Sequence, residues 1–144
     1  MRRGLIDLIL RRGTVLYTRS RTLSSGEPHY LIVLNNRPYD GTGVVISVVT
    51  SQIEKRREHI ARMGFPDTTL VLLPKGCYPH FDKDSAVDCN NLKVIPLDEL
   101  RLCAAGEFKS PDFPEVYLGR IIQGALDSPK IPGELKALLK DASA

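Results

Sequence analysis

No apolar run in the 144-residue chain approaches the roughly 20 residues needed to span a bilayer; the longest, Tyr30 to Leu34 and Val44 to Val49, have strand length. A membrane-spanning helix is therefore not expected. Cysteine is scarce: Cys77, Cys89 and Cys103 form an odd, widely spaced set, which excludes a disulfide framework and agrees with a reducing, cytoplasmic compartment. A metal-ligand set is incomplete too. Cys77 and His80 have Cys-x-x-His spacing and Cys89 follows, but no second close pair completes a zinc-type group, so the thiols read as buried or partly buried side chains. The opening Met1-Arg2-Arg3-Gly4-Leu5-Ile6-Asp7 is basic. Asp7 interrupts its apolar stretch and Arg11-Arg12 closes it without a small-residue cleavage site, so no secretory leader is expected. Internal repeats and low-complexity tracts are lacking, and no cofactor is expected.

An apolar share of 42% and a charged share of 26% are ordinary for a globular protein, and the length suits one domain, over residues 1–144. A domain of this size buries about two thirds of its unfolded surface without staples. The net charge of +3 is small but uneven, since Arg2, Arg3, Arg11, Arg12, Arg19 and Arg21 face only Asp7 in the opening segment. Gathered on one face, these arginines could track a phosphate backbone; spread out, they are a solvated surface.

Leu5 to Leu10 suggests a short helix or turn ended by Gly13, followed by a strand over Thr14 to Thr18 and a polar loop, Arg19 to Pro28, containing Ser24-Ser25-Gly26. Tyr30 to Leu34 reads as a strand buried on both faces, and Asn35 to Gly43 as a turn into Val44 to Thr50, whose β-branched side chains suit a pleated, buried surface. Ser51-Gln52-Ile53-Glu54 has the form of a capping box opening a helix that runs to Met63, with Ile53, Ile60 and Met63 as its apolar stripe, Lys55, Arg56, Arg57, Glu58 and Arg62 as its solvated surface, and Gly64 with Pro66 as its stop. Further strands are predicted over Thr68 to Leu73, Ala86 to Cys89 and Leu92 to Ile95. A helix starts at Pro96, and two helices cover Glu115 to Leu126 and Pro132 to Leu139. Strands first and helices later predict an α+β arrangement, the last two helices packing on the sheet or across a dimer.

The series of a first strand after Gly13, a polar loop, Tyr30 to Leu34, a turn and Val44 to Ser51 resembles the opening half of the PemK/MazF ribonuclease toxins. Ser85-Ala86-Val87-Asp88-Cys89-Asn90-Asn91-Leu92-Lys93-Val94-Ile95-Pro96-Leu97-Asp98-Glu99-Leu100 is similar to the closing half: a serine-led strand with a cysteine, a polar pair, a short strand and a helix start. The likeness covers residues 13–102, with the 52–63 helix and the helical extension over 112–141 as additions. It implies an SH3-like β-barrel of five to seven strands with an inserted helix and C-terminal helices. It further implies a homodimer, metal-independent cleavage of single-stranded RNA by the 2′-hydroxyl beside the scissile phosphate, and restraint by an antitoxin protein in a toxin–antitoxin pair. Such chemistry needs a base, an acid and a cation beside the phosphorane.

In that family an arginine just ahead of the second strand supplies cation and acid, and a Thr or Ser ending the next strand holds the phosphate. Thr50 and Ser51 match the latter. In Gly26-Glu27-Pro28-His29-Tyr30, Pro28 or His29 stands where the arginine would be, and Asp88 and Asn90 replace the arginine and aspartate flanking the later cysteine in PemK-like members. The candidate site residues are therefore His29, Thr50, Ser51, Arg19 and Arg21. His29 can act as acid or base beside a phosphate, or be a strand-start histidine bonded to backbone. Arg19 or Arg21 can supply the cation, or be solvated loop arginines. Thr50 can hold the phosphate or serve β-propensity, and Ser51 can do the same or cap the helix, whose N-terminus itself favours an anion. His59 reads as a surface residue and His80 as a loop residue near Asp82 and Asp84. A barrel that binds RNA or a protein partner without cleaving is the alternative function.

Overall fold

The computed structural model describes residues 10–19, 23, 27–36, 43–103 and 108–140. Arg21, Ser24 to Gly26, the predicted helix before Leu10 and the middle of the Asn35 to Gly43 turn lie outside them. The described residues form an α+β structure of seven strands and four helices, with every strand pairing antiparallel.

The strands are β1 (Val15–Thr18), β2 (His29–Val33), β3 (Val44–Thr50), β4 (Leu70–Leu73), β5 (Ser85–Asp88), β6 (Lys93–Ile95) and β7 (Phe108–Lys109), in the order β4-β5-β3-β2-β1-β7 with β6 also on β3. The β-branched β3 is central, as its composition requires. One of its edges pairs with β2; along the other run β6 and then β5, with Val44↔Ile95 and Thr50↔Ala86 at the two ends. Since Val49 pairs with Val87 and Ile46 with Lys93, residues 88–92 bulge opposite 47–48. Asn35 closes the connection into β3 from within: its Oδ1 accepts from the Val45 amide and its Nδ2 donates to the Gly43 carbonyl, both at 3.0 Å. Gly43 has φ +79°, and a Cβ there would lie 2.9 Å from Val94 Cγ1, so only glycine fits the turn.

Alternation along β1, β2 and β3 feeds two cores. Val15, Ile32, Val45 and Val49 face one; Leu16, Leu31, Val33, Val44 and Ile46 face the other, with Ile95 and Leu100. Burying each such side chain contributes about 1.5–3 kcal/mol. The first core is completed by α3 (Glu115–Asp127) and α4 (Gly133–Lys140) through Leu118, Ile121, Ala125 and Leu139, so both C-terminal helices pack on the sheet. Helix α2 (Leu97–Cys103) follows Pro96 and supplies Leu100 to the second core.

Two of the N-terminal arginines, Arg11 and Arg12, have structural partners. Arg12 donates from Nε to the Leu34 carbonyl at 2.7 Å and from Nη2 to the Leu139 carbonyl at 2.9 Å, tying the last helix to the sheet, while Arg11 pairs with Asp112. Neither is a spare cation for a phosphate track.

Helix α1 (Ile53–Met63) joins β3 to β4 and departs from its predicted start. Ser51 is not the cap: Thr50 Oγ1 accepts the Gln52 amide at 3.1 Å, which leaves Gln52 in the N-cap position with no side-chain bond and Ser51 exposed. The predicted stop holds. Gly64 adopts the left-handed conformation at φ +72°, donating to the Ala61 carbonyl while Phe65 donates to Ile60, the paired bonds of a Schellman ending. Past that ending Phe65 packs edge-on beside His59, and Met63 is 51% exposed rather than in the apolar stripe.

Candidate functional site

The open ends of β1, β2 and β3 surround a cavity of about 680 Å³ that His29, Thr50 and Ser51 all line. His29 pairs with Thr18 of β1. Continuing the β2–β3 register from Leu31↔Val48 sets His29 opposite Thr50, so the antiparallel ladder alone unites two of the predicted residues. Thr50 is half-buried; its Oγ1 accepts the Gln52 amide, which orients the hydroxyl and leaves its proton for an acceptor. Ser51, freed from capping, adds an exposed hydroxyl at the strand-to-helix junction. Arg19 does not line the cavity: it is exposed just beyond the end of β1, and its carbonyl accepts from Thr18 Oγ1.

The walls hold groups that the sequence pattern did not single out for a site. His80, expected in a plain loop, lines the same cavity. Its Nε2 lies 2.8 Å from the Ser110 carbonyl, which can only accept, so Nε2 carries a proton and Nδ1 is the acceptor in the neutral ring. The loop holding it is fixed by Tyr30, whose hydroxyl donates to the His80 carbonyl, and by Tyr78, whose ring packs on His80 and whose hydroxyl donates to the Pro111 carbonyl. Nothing local in the sequence joins His80 to His29; the loop from β4 to β5 does.

Tyr17 and Tyr30, cross-strand partners in register, line the cavity with ring centroids 4.6 Å apart, and Phe81 meets Tyr30 edge-on at 5.2 Å. Burial first, and then neighbouring Tyr17 and Asp82, push the Tyr30 hydroxyl above its ordinary pKa, so it stays a neutral donor. Lys109 stands over the Tyr17 ring at 5.8 Å.

Arg56, predicted on the solvated surface of α1, is half-buried and turned to the cavity, with Nη1 3.6 Å from Asp88 Oδ2. Its position does carry a signal: Ile53, Arg56 and Ile60 stand at i, i+3 and i+7, so Arg56 shares the stripe that faces the sheet. Asp88 is 7% exposed, and its Oδ1 accepts from both the Asn90 amide and Asn90 Nδ2 at 3.0 Å. Asn90 also donates to Thr69 Oγ1 and accepts from Ser128 Oγ, which anchors the bulge to the 3-10 turn Asp67–Thr69 and to the end of α3. Lys83 and Lys93 bring further positive charge, set against Glu27, Asp82 and Asp88. The cavity is therefore chemically mixed rather than a basic track.

Cys89, next to Asp88, belongs to the core: it is fully buried and its Sγ donates to the Ile121 carbonyl at 3.4 Å. Among the described residues no group of three or more His, Cys, Asp or Glu side chains is arranged to hold a metal ion, so Cys77, His80 and Cys89 do not form one. No helix of the described residues is long and apolar enough to cross a membrane. No protein-family model matches the chain, and no curated protein matches it significantly.

Proposed function

We propose that the chain is a PemK/MazF-like endoribonuclease that cleaves single-stranded RNA without metal, built as an SH3-like barrel and acting in the cytoplasm as a homodimer under restraint by an antitoxin protein. The observation that carries this reading is the convergence of His29, Thr50 and Ser51, the candidates that the family resemblance implies, on one cavity that also holds a second histidine. For the barrel, support comes from the continuous apolar cluster that β1, β2, β3 and β6 share, with Phe108 of β7 packed against it.

In this mechanism the 2′-oxygen of the substrate attacks the neighbouring phosphorus. The O2′–P bond forms as the P–O5′ bond breaks, giving a 2′,3′-cyclic phosphate and a 5′-hydroxyl. His80, with Nδ1 as acceptor, takes the 2′-hydroxyl proton, and His29 gives a proton to the departing 5′-oxygen. Thr50 and Ser51 donate to the non-bridging oxygens as charge grows there. Tyr17 and Tyr30 offer stacking faces for an unpaired base, at about 1–3 kcal/mol per stacked base. The nucleophile is the substrate's own hydroxyl, so the reaction needs acid, base and donors and no metal-bound water.

The test is incubation of purified protein with varied single-stranded RNAs in EDTA, followed by end-group analysis. The expected products carry cyclic phosphate and 5′-hydroxyl ends; no cleavage of any RNA, together with no growth arrest on expression, overturns the reading.

The balance of cations and carboxylates, and the position of Arg19 outside the cavity, favour a second reading: a barrel that binds RNA or a protein partner without cutting. Salt-dependent RNA binding with no cleavage, unchanged by His29→Ala, selects it.

A further inference from the structure

The proposed chemistry requires a cation at the phosphorane; of the two candidates, Arg19 does not line the cavity and Arg21 lies outside the described residues. Resting on the ribonuclease reading, we infer that Arg56, delivered by the helix inserted between β3 and β4, is the catalytic cation that binds the scissile phosphate, and that Asp88 is its positioning residue.

Three observations carry the assignment. Arg56 is on the cavity wall together with Thr50 and Ser51, one helical turn beyond the strand end that bears them. Its nearest carboxylate oxygen is 3.6 Å away, a charge contact too long for a hydrogen bond, so the planar fork of guanidinium donors is not consumed by Asp88 and can engage two phosphate oxygens. Asp88 is held in place by its surroundings: it is buried, it accepts two bonds from Asn90, and Asn90 is bonded to Thr69 and Ser128. A fixed carboxylate behind a half-buried arginine restricts the arginine to one orientation before substrate arrives, which is the preorganisation that charge stabilisation in a transition state requires. Lys83 is exposed, with no such partner among the described residues, and Lys93 lies on the β6 side of the cavity. Neither has a fixed counter-charge that would aim it.

The experiment compares wild-type protein with Arg56→Ala, Arg56→Lys and Asp88→Asn on one single-stranded RNA, with binding measured on a copy carrying a 2′-deoxy nucleotide at the cut. Arg56→Ala is expected to lower cleavage about 10²- to 10³-fold and to reduce the slope of log K against log salt by about 0.7, the loss of one phosphate contact on a single strand. Arg56→Lys should restore the salt slope while leaving cleavage impaired, because a point charge replaces the fork. Asp88→Asn keeps the Oδ1 acceptor for Asn90 and removes only the charge behind Arg56. It should lower kcat on the order of tenfold without raising KM, a split that partial unfolding would not produce. A cutting wild type whose rate and salt slope are unaffected by Arg56→Ala overturns the assignment alone. A wild type that neither binds nor cuts RNA overturns the functional reading and this assignment with it.

Discussion

His29 and Thr50 owe their proximity to the register of two neighbouring strands, not to any feature of either residue. His29→Ala is therefore expected to lower kcat for RNA cleavage about 10²- to 10⁴-fold while leaving the melting temperature nearly unchanged, since the side chain is half-buried at a strand start and outside both cores. Cleavage assays alongside thermal melts check both halves. Cys89 is the opposite kind of residue. Burial, helped by Asp88 and Asp127, pushes its thiol up from 9.0 to about 12, and Tyr78 rises from 10.0 to about 12 through burial, Asp112 and Tyr30. The unfolded chain loses these protons first as pH rises, so their contribution is full below pH 9 and disappears between about 9 and 12. Urea unfolding across that window should show falling stability, and Cys89→Ala should flatten part of the fall. Thr50, Ser51 and His29 could be read from the sequence because the ordered strands align them with the site positions that the family resemblance implies. His80 and Arg56 could not, because one comes from a distant loop and the other looks solvated when only its charge is considered.

The element that most clearly distinguishes the chain from a plain small barrel is the pairing of an inserted helix with a bulged strand. Helix α1 was legible through its apolar spacing and its glycine stop; its exact start was not, because the N-cap position falls on Gln52, whose amide is taken by Thr50 Oγ1, and not on Ser51. The bulge over residues 88–92 was not legible either. In the sequence its asparagines are only a polar pair between two strands; in the structure Asn90 ties β5 to the end of α3. Helix α3 approaches that bulge closely enough that Gly124 leaves no room: a Cβ there would lie 2.7 Å from the Thr68 carbonyl oxygen and 2.8 Å from Cys89 Sγ. Gly124→Ala, which would stabilise an exposed helix, is thus expected to destabilise by about 1–3 kcal/mol. A chemical-denaturation midpoint below wild type checks the sign. An unchanged or higher midpoint would mean that α3 does not pack at this distance.

At the level of the whole molecule, strand content, the central place of β3 and the helices covering one face follow from alternation, β-branching and the switch to helical spacing after Pro96. The short β7, Phe108–Lys109, had no such signal, since two residues carry no periodicity and its pairing with β1 is a tertiary event. Of the two readings of the charge in the opening segment, a phosphate track or a solvated surface, neither describes Arg12, which secures the last helix to the sheet, and Arg11 pairs with Asp112. Under the proposed ribonuclease reading, RNA is handled at the cavity at the open strand ends, which two histidines, the hydroxyls of Thr50 and Ser51, and Arg56 line. Its chemistry stands or falls on the nucleophile. The decisive measurement compares cleavage in EDTA of an all-ribose oligonucleotide with one carrying a single 2′-deoxy nucleotide immediately 5′ of the cut. The account predicts that this one oxygen abolishes cleavage at that bond while binding persists; cleavage of both oligonucleotides at the same bond, or of neither, would contradict it.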